Sequence, residues 1–202
     1  AGSRSRPLLA VTPANPDVVY VLFSANDYSY HGLYKSIDQG STWNLQSDSP
    51  NILGRLTNGN STGGQSWYDL SLGVSTEDEN LIYIGGINLW KTTDGGISWD
   101  IEASSGNSNN YSYMHVDQHA VEFNPLNNIA YAGNDGGFYK YMDALNTWVD
   151  ISDGLEISQF YKLGLSETNT TRVVAGAQDN GTEMLTSGVW DAIRGSDGME
   201  CA

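Results

Sequence analysis

Cysteine is nearly missing from this 202-residue chain: the single thiol, Cys201, permits neither an internal disulfide nor a cysteine-built zinc site. Basic residues are also scarce, nine Lys and Arg against twenty-four Asp and Glu, so the formal charge is −15. A phosphate backbone is held by cations that displace its counterions, so nucleic acid and anionic membrane surfaces are excluded as principal partners. Long apolar runs are lacking too. The most hydrophobic stretches, 18–23 and 81–84, are far shorter than the roughly 20 residues that span a bilayer as a helix, and no membrane insertion is expected. No segment shows a helical hydrophobic period. The chain starts at Ala1 with neither Met nor a basic-then-apolar leader, and reads as a piece from which any export signal has gone.

What is abundant points one way. Twenty-three Gly, twelve Tyr and six Trp, with charged residues at only 16%, suit short strands joined by tight turns. A hydrophobic content of 39% over this length is enough for a globular core.

A repeat organises these residues. Ser36-Ile37-Asp38-Gln39-Gly40-Ser41-Thr42-Trp43 and Thr92-Thr93-Asp94-Gly95-Gly96-Ile97-Ser98-Trp99 agree at every position of S/T-x-D-x-G-x-S/T-W. A worn third copy, Tyr141 to Trp148, keeps Asp143, Thr147 and Trp148 but has Leu145 at the glycine position. A fourth unit is marked only by Val189-Trp190. The spacing between these tryptophans is that of a four-stranded unit. Strand-like runs fall at 8–11, 18–23, 32–36 and 43–46; at 68–74, 81–85, 89–92 and 99–101; at 119–123, 129–132, 138–141 and 148–151; and at 160–165, 172–175, 182–185 and 189–192. Four-stranded antiparallel sheets repeated radially make an all-β propeller. The expected blades are about 8–46, 68–101, 119–151 and 160–192 in one propeller segment, with 194–202 leading into another. About four blades read as an arc of a larger ring.

The shared octapeptide lies between the third and fourth strands of a blade. Glycine supplies positive φ, the aspartate accepts bonds from amides the turn leaves unpaired, and the tryptophan contributes most through buried area. Asp38, Gly40 and Trp43, Asp94, Gly96 and Trp99, and Asp143 with Trp148 are therefore expected to be structural.

These motifs resemble the Asp-box, or BNR, repeats of sialidases, the sortilin propeller and xyloglucan-hydrolase propellers. Gly64-Gln65-Ser66-Trp67-Tyr68-Asp69-Leu70, His115-Val116-Asp117-Gln118-His119-Ala120, Gly133-Asn134-Asp135-Gly136-Gly137 and Gly176-Ala177-Gln178-Asp179-Asn180-Gly181-Thr182 are similar to segments of large secreted bacterial surface proteins with sortilin-like or glycosyl-hydrolase-like propellers, often exported by type IX secretion. The resemblance implies an extracellular or cell-surface bacterial location and a longer parent chain. Hydrolases, receptors and adhesins all use such propellers, so activity has to be argued from the site.

Strand alternation puts the repeated turns on one face and the remaining polar loops on the other. That second face collects Asp27, Tyr28, Tyr30 and His31; Trp67 and Tyr68; Asn134 and Asp135; Gln178, Asp179 and Asn180; and finally Asp197 and Glu200. Exposed aromatic rings beside polar groups suit sugar stacking and protein hot spots alike. In an extended strand His115, Asp117 and His119 would point to one side, as ligands for calcium or another divalent metal, as a polar network, or as contacts to a bound chain. No cofactor is required by the sequence. Asp135, Asp179 and Asp197 are the alternative carboxylates for glycoside hydrolysis. The first reading is a non-catalytic propeller module that binds polysaccharide or protein through this face; the alternative is a glycoside hydrolase acting there.

Overall fold

The computed structural model describes residues 4–106, 108–155 and 159–199. It divides into two compact units, Ala1–Ile151 and Ser152–Ala202. Among the described residues there is no helix.

In the first unit β1 (Arg4–Val11), β2 (Val19–Ala25), β3 (Tyr30–Ser36) and β4 (Asn44–Ser47) pair in sequence order as an antiparallel sheet. A second sheet follows with β5 (Ser71–Val74), β6 (Ile82–Gly85), β7 (Leu89–Thr92) and β8 (Asp100–Ser104), to which the two-residue β9 (Ser112–Tyr113) adds in parallel. The third sheet contains β10 (Gln118–Phe123), β11 (Ala130–Asn134), β12 (Gly137–Met142) and β13 (Thr147–Asp150). The second unit holds a fourth sheet, β14 (Phe160–Leu165), β15 (Arg172–Ala177), β16 (Thr182–Thr186) and β17 (Val189–Arg194). This all-β arrangement of repeated four-stranded antiparallel units is the expected class. The second connection departs from the strand pattern: Tyr68 and Asp69 turn back on the carbonyl of Gln65, so β5 begins only at Ser71.

Alternation within its strands makes the second sheet two-sided. Leu72, Ile84, Trp90 and Ile101 stand in one cross-strand row on the second sheet and belong to the core formed with Tyr20, Leu22 and Leu33 of the first. On the opposite face Tyr83 packs with Val121, Ala132, Tyr139 and Trp148 of the third sheet. The first sheet carries the equivalent row, Leu9, Val21, Tyr34 and Leu45, on the side away from the second sheet, and there Leu9 and Leu45 are exposed.

The repeated turns lock these layers. Asp38 accepts bonds from the Thr42 amide and hydroxyl and the Ser36 hydroxyl; Asp94 takes the same set from Ser98 and Thr92, plus the amide of Ile97. The bonds from Thr42 and Ser36 hold the Asp38 carboxyl down to about 2. At Asp94 burial opposes, but the combined donors win and reach a similar value of about 2. Gly96 has φ +92°, and a Cβ there would stand 2.4 Å from Cδ2 of Leu33, so the glycine serves both turn and sheet contact.

Trp99 then reaches the first sheet, donating from Nε1 to Ser47 Oγ at 3.0 Å and meeting Tyr30 edge-on. Trp148 repeats this one sheet later, with Nε1 3.2 Å from Glu102 Oε1 and its ring against Tyr83. Two turn residues depart from the expected structural role. Trp43 is 40% exposed, against 9% for Trp99 and 4% for Trp148, because the first sheet has no described layer on its outer side for that indole to enter. Asp143 gathers no such set of donors; the turn closes instead through backbone bonds from Leu145 and Asn146 and a Tyr141 hydroxyl bond to Asn146, with Asn146 at φ +49° supplying the conformation that glycine supplies elsewhere.

Truncating a buried indole costs about 3–5 kcal/mol, so Trp99→Ala is expected to lower stability by that amount and Trp43→Ala by well under half of it, read from urea midpoints at constant m. The lowered carboxyls give a second expectation. Their folded values lie below the unfolded value near 3.8, so their contribution is present above pH 4 and is lost as pH falls toward 2. Acid titration of the D38N/D94N double variant, followed by tryptophan fluorescence, should show a shallower loss of stability below pH 4 than the parent; identical acid limbs would refute the linkage.

Candidate functional site

The end of the first unit opposite the repeated turns is built by loops that bond to one another. Gly64 N–H donates to the carbonyl of Asp27, Asn88 donates to the carbonyls of Gly54 and Arg55, and Gln118 N–H donates to Gly86. Asn134 binds the His115 carbonyl at 3.2 Å. Arg6 fastens the 66–68 segment from β1 by donating to the Ser66 carbonyl at 2.9 Å. The face is therefore held by backbone bonds together with the side chains of Asn88, Asn134 and Arg6, which are spent on loop carbonyls.

Two linked polar clusters result. In the outer one the Tyr68 hydroxyl donates to Asp135 Oδ2 at 2.6 Å, and His119 Nε2 stands 2.6 Å from Asp135 Oδ1. The rings continue the line: Trp67 lies 5.6 Å from Tyr68, and Tyr68 meets His119 edge-on at 5.0 Å. Trp67 is 64% exposed at the end of this row. In the inner cluster the Gln65 amide donates to Asp69 Oδ2 at 2.9 Å and also to Asp117 Oδ1. Carboxylate oxygens of Asp117 and Asp135 approach within 4.8 Å, joining the two clusters.

Asp69 is completely buried, and its Oδ1 accepts no hydrogen bond. Burial raises its carboxyl strongly, the neighbouring Asp117 charge adds to this, and the Gln65 bond opposes. Asp117 is raised as well, first by burial and further by the charge of Asp135, with the bond to Asp69 and the two histidines working the other way. Mutual repulsion of the two carboxylates thus acts in the same direction as burial at both residues.

Beside Gln65 and Asp117 opens a cavity of about 510 Å³, also lined by Arg55, Asn88 and Tyr111. Its size falls in the range of small-molecule sites. Both hydrogen-bonding signs and an aromatic ring are available on its walls.

Several expected site residues occupy other roles. Tyr30 is only 6% exposed; it belongs to the first core and its hydroxyl bonds Ser47, because the strand begins at Tyr30 and turns the ring inward. Tyr28 is exposed at φ +66° in the turn, and His31 is half-buried on β3. Asn134 spends its side chain on His115, Gln118 and the Gly136 amide. His115, Asp117 and His119 do not share one side of a strand: Asp117 has φ +67°, β10 starts at Gln118, and a bulge follows before Ala120. Asp117 accordingly faces Gln65 while His119 faces Asp135, and the His115 ring turns to the carbonyl of Val116.

Asp179 and Asp197 belong to the second unit. There Asp197 accepts a 2.9 Å bond from the Asp179 amide, and Asn180 bonds back to the Gln178 carbonyl, so these residues shape the Ala177–Gly181 turn. Glu200 lies outside the described residues. Asp69 and Gln65 are the participants that sequence reasoning passed over. Their four-residue spacing inside Gln65-Ser66-Trp67-Tyr68-Asp69 was the available signal, since one turn brings the two side chains together.

No protein-family model matches the chain. Xyloglucanase Xgh74A of Acetivibrio thermocellus is 29% identical over 112 residues, which cover 52% of this chain and 12% of that enzyme. Among solved structures, the GH74 xyloglucanase from Xanthomonas campestris superposes with a TM-score of 0.50 at 15% identity, over 95% of this chain and 28% of its own. The GH74 enzyme of Niastella koreensis gives a TM-score of 0.45 at 23% identity, over 93% of this chain and 29% of its own. This chain thus spans little more than a quarter of these structures and about an eighth of the curated relative. Repeated four-stranded antiparallel sheets and this structural likeness together establish the fold: the chain is part of a β-propeller.

Proposed function

We propose that the loop-bearing face of the first unit binds a polysaccharide, as a module of a longer extracellular protein, without itself carrying out chemistry. The observation that carries this reading is the row formed by exposed Trp67, Tyr68 and His119, anchored by Asp135 and adjoining the polar cavity at Gln65 and Asp117. A pyranose ring presents an apolar face that stacks on an indole, with hydroxyls at its edge that need donors and acceptors. Similarity to a xyloglucanase over half the chain supports a β-glucan of that kind as the ligand class. The same likeness, with the S/T-x-D-x-G-x-S/T-W turns, supports assignment of those turns to the Asp-box type and of the protein to the bacterial cell exterior.

Because Trp67 is mostly exposed, Trp67→Ala should leave the circular dichroism spectrum and Tm nearly unchanged while weakening xyloglucan binding at least tenfold, about 1.4 kcal/mol, in affinity electrophoresis or calorimetry. Equal retardation of parent and variant would remove Trp67 from the site. Binding of a protein but of no glycan would replace the polysaccharide by a polypeptide ligand.

A second reading, glycoside hydrolysis, is favoured by one observation: Asp117 and Asp135 oxygens lie within 4.8 Å, with Asp117 raised by burial and Asp135 held by Tyr68 and His119. Retaining glycosidases separate their two carboxyls by about 5–5.5 Å, one protonated and one ionised. On the binding reading no reducing ends accumulate when the chain is incubated with xyloglucan. Release that Asp117→Asn or Asp135→Asn abolishes would establish the hydrolytic reading instead.

A further inference from the structure

The cavity beside Gln65 and Asp117 does not end at the loop-bearing face. Gly106 on its wall also lines a hollow of about 370 Å³, Tyr111 lines another of about 220 Å³, and these two share Asn109. Together they form a furrow that leaves the face and runs down the flank between the second and third sheets. Ser104 lines its upper part and Ile101 its lower, on the same strand β8, about 10 Å apart. Its walls are fastened to both sheets: Met114 N–H donates to the Ser104 carbonyl, β9 pairs with β8, and Ser112 Oγ stands 3.0 Å from the Thr147 hydroxyl and accepts from the Trp148 amide at 3.2 Å. Gly106 keeps one corner open, since a Cβ there would stand 2.7 Å from the Tyr111 hydroxyl.

We propose that this furrow carries the continuation of a neutral polysaccharide chain whose other part lies on Trp67, so that the protein holds an extended run of sugar units rather than one. The inference rests on the polysaccharide reading above and adds to it the path and the charge of the ligand. The wall chemistry fits a glycan. Asn109, Asn110 and Ser112 offer amides and a hydroxyl of both hydrogen-bonding signs, and Tyr113, 57% exposed, offers an accessible ring of the kind on which a pyranose stacks. Ile101 is the one aliphatic side chain lining the lower hollow, which leaves little for the apolar anchors of a protein ligand to fill. Charge is the second constraint. On the flank Glu102 is the charged lining residue, and it is engaged by Trp148 Nε1 at 3.2 Å and by Lys91 at 3.8 Å. With no cation on these flank walls among the described residues, and a formal charge of −15 over the chain, an anionic glycan is disfavoured and an uncharged one selected.

The test measures affinity against chain length, by calorimetry of the 202-residue chain with xyloglucan oligosaccharides graded upward from a single backbone repeat. Affinity is expected to rise as the oligosaccharide lengthens. Tyr113→Ala should remove that gain, weakening the longest oligosaccharide about fivefold, the scale of one lost ring contact, while leaving the shortest unchanged. Trp67→Ala, by contrast, should weaken every length. Tyr113 is exposed, so its truncation is expected to leave the fold intact; should it fail to fold, Asn109→Ala, on the wall shared by the two flank hollows, carries the same test. Affinity that does not change with length, or a Tyr113→Ala loss equal at every length, overturns the furrow and leaves the polysaccharide reading standing. Absence of binding at every length overturns both. Polygalacturonate, a chain of carboxylated sugars, should not bind, and binding of it that Tyr113→Ala weakens would overturn the assignment of a neutral ligand.

Discussion

The first unit depends on the indole that each turn sends into the sheet before it. Trp99 and Trp148 are the last residues of their eight-residue segments, and each turns its ring onto the previous sheet, with its N–H satisfied there by Ser47 or Glu102. Burying so large a ring contributes several kcal/mol, well above the roughly 1 kcal/mol net of any single bond in the aspartate turn. The aspartate and glycine give the turn its shape; the ring makes that shape matter to the neighbouring layer. Lys35, bonded to Glu79 across the same interface at 2.8 Å, adds a polar latch at the rim.

With the turns committed to holding layers together at one end, the opposite loops are free of that duty. Their backbones nevertheless bond across sheets, as between Gly64 and Asp27 or Gln118 and Gly86, so the side chains project from a rigid base. On this base the carboxylates of Asp117 and Asp135 come within 4.8 Å of each other, and Gln65 bonds both Asp69 and Asp117. The cavity beside them and the exposed indole of Trp67 occupy the same end of the unit.

Much of the architecture was legible in the residues, and the reason is local. A turn that needs an acceptor for its amides, positive φ two places later and an aromatic three places after that writes all three into eight positions, as Asp94, Gly96 and Trp99 show. Where the demand was met differently the pattern misled: Asn146 takes the left-handed conformation in the third turn, so Asp143 is left without its donors. The site was less legible because its chemistry arises from tertiary burial. Nothing in the string distinguishes Asp69 from an exposed aspartate; its burial and its bond to Gln65 arise only in the folded chain. The His115-Val116-Asp117-Gln118-His119 segment failed for a related reason. Period-two reasoning assumes extended backbone, and one left-handed residue at Asp117 sends its neighbours to different partners.

The row Leu9, Val21, Tyr34 and Leu45 matches, strand for strand, the row Leu72, Ile84, Trp90 and Ile101 by which the second sheet sits on the first. Each layer accordingly has a plug on one side and a socket on the other, cut to a common gauge. A further layer built to the same pattern would meet, on the outer face of the first sheet, a seat of matching shape.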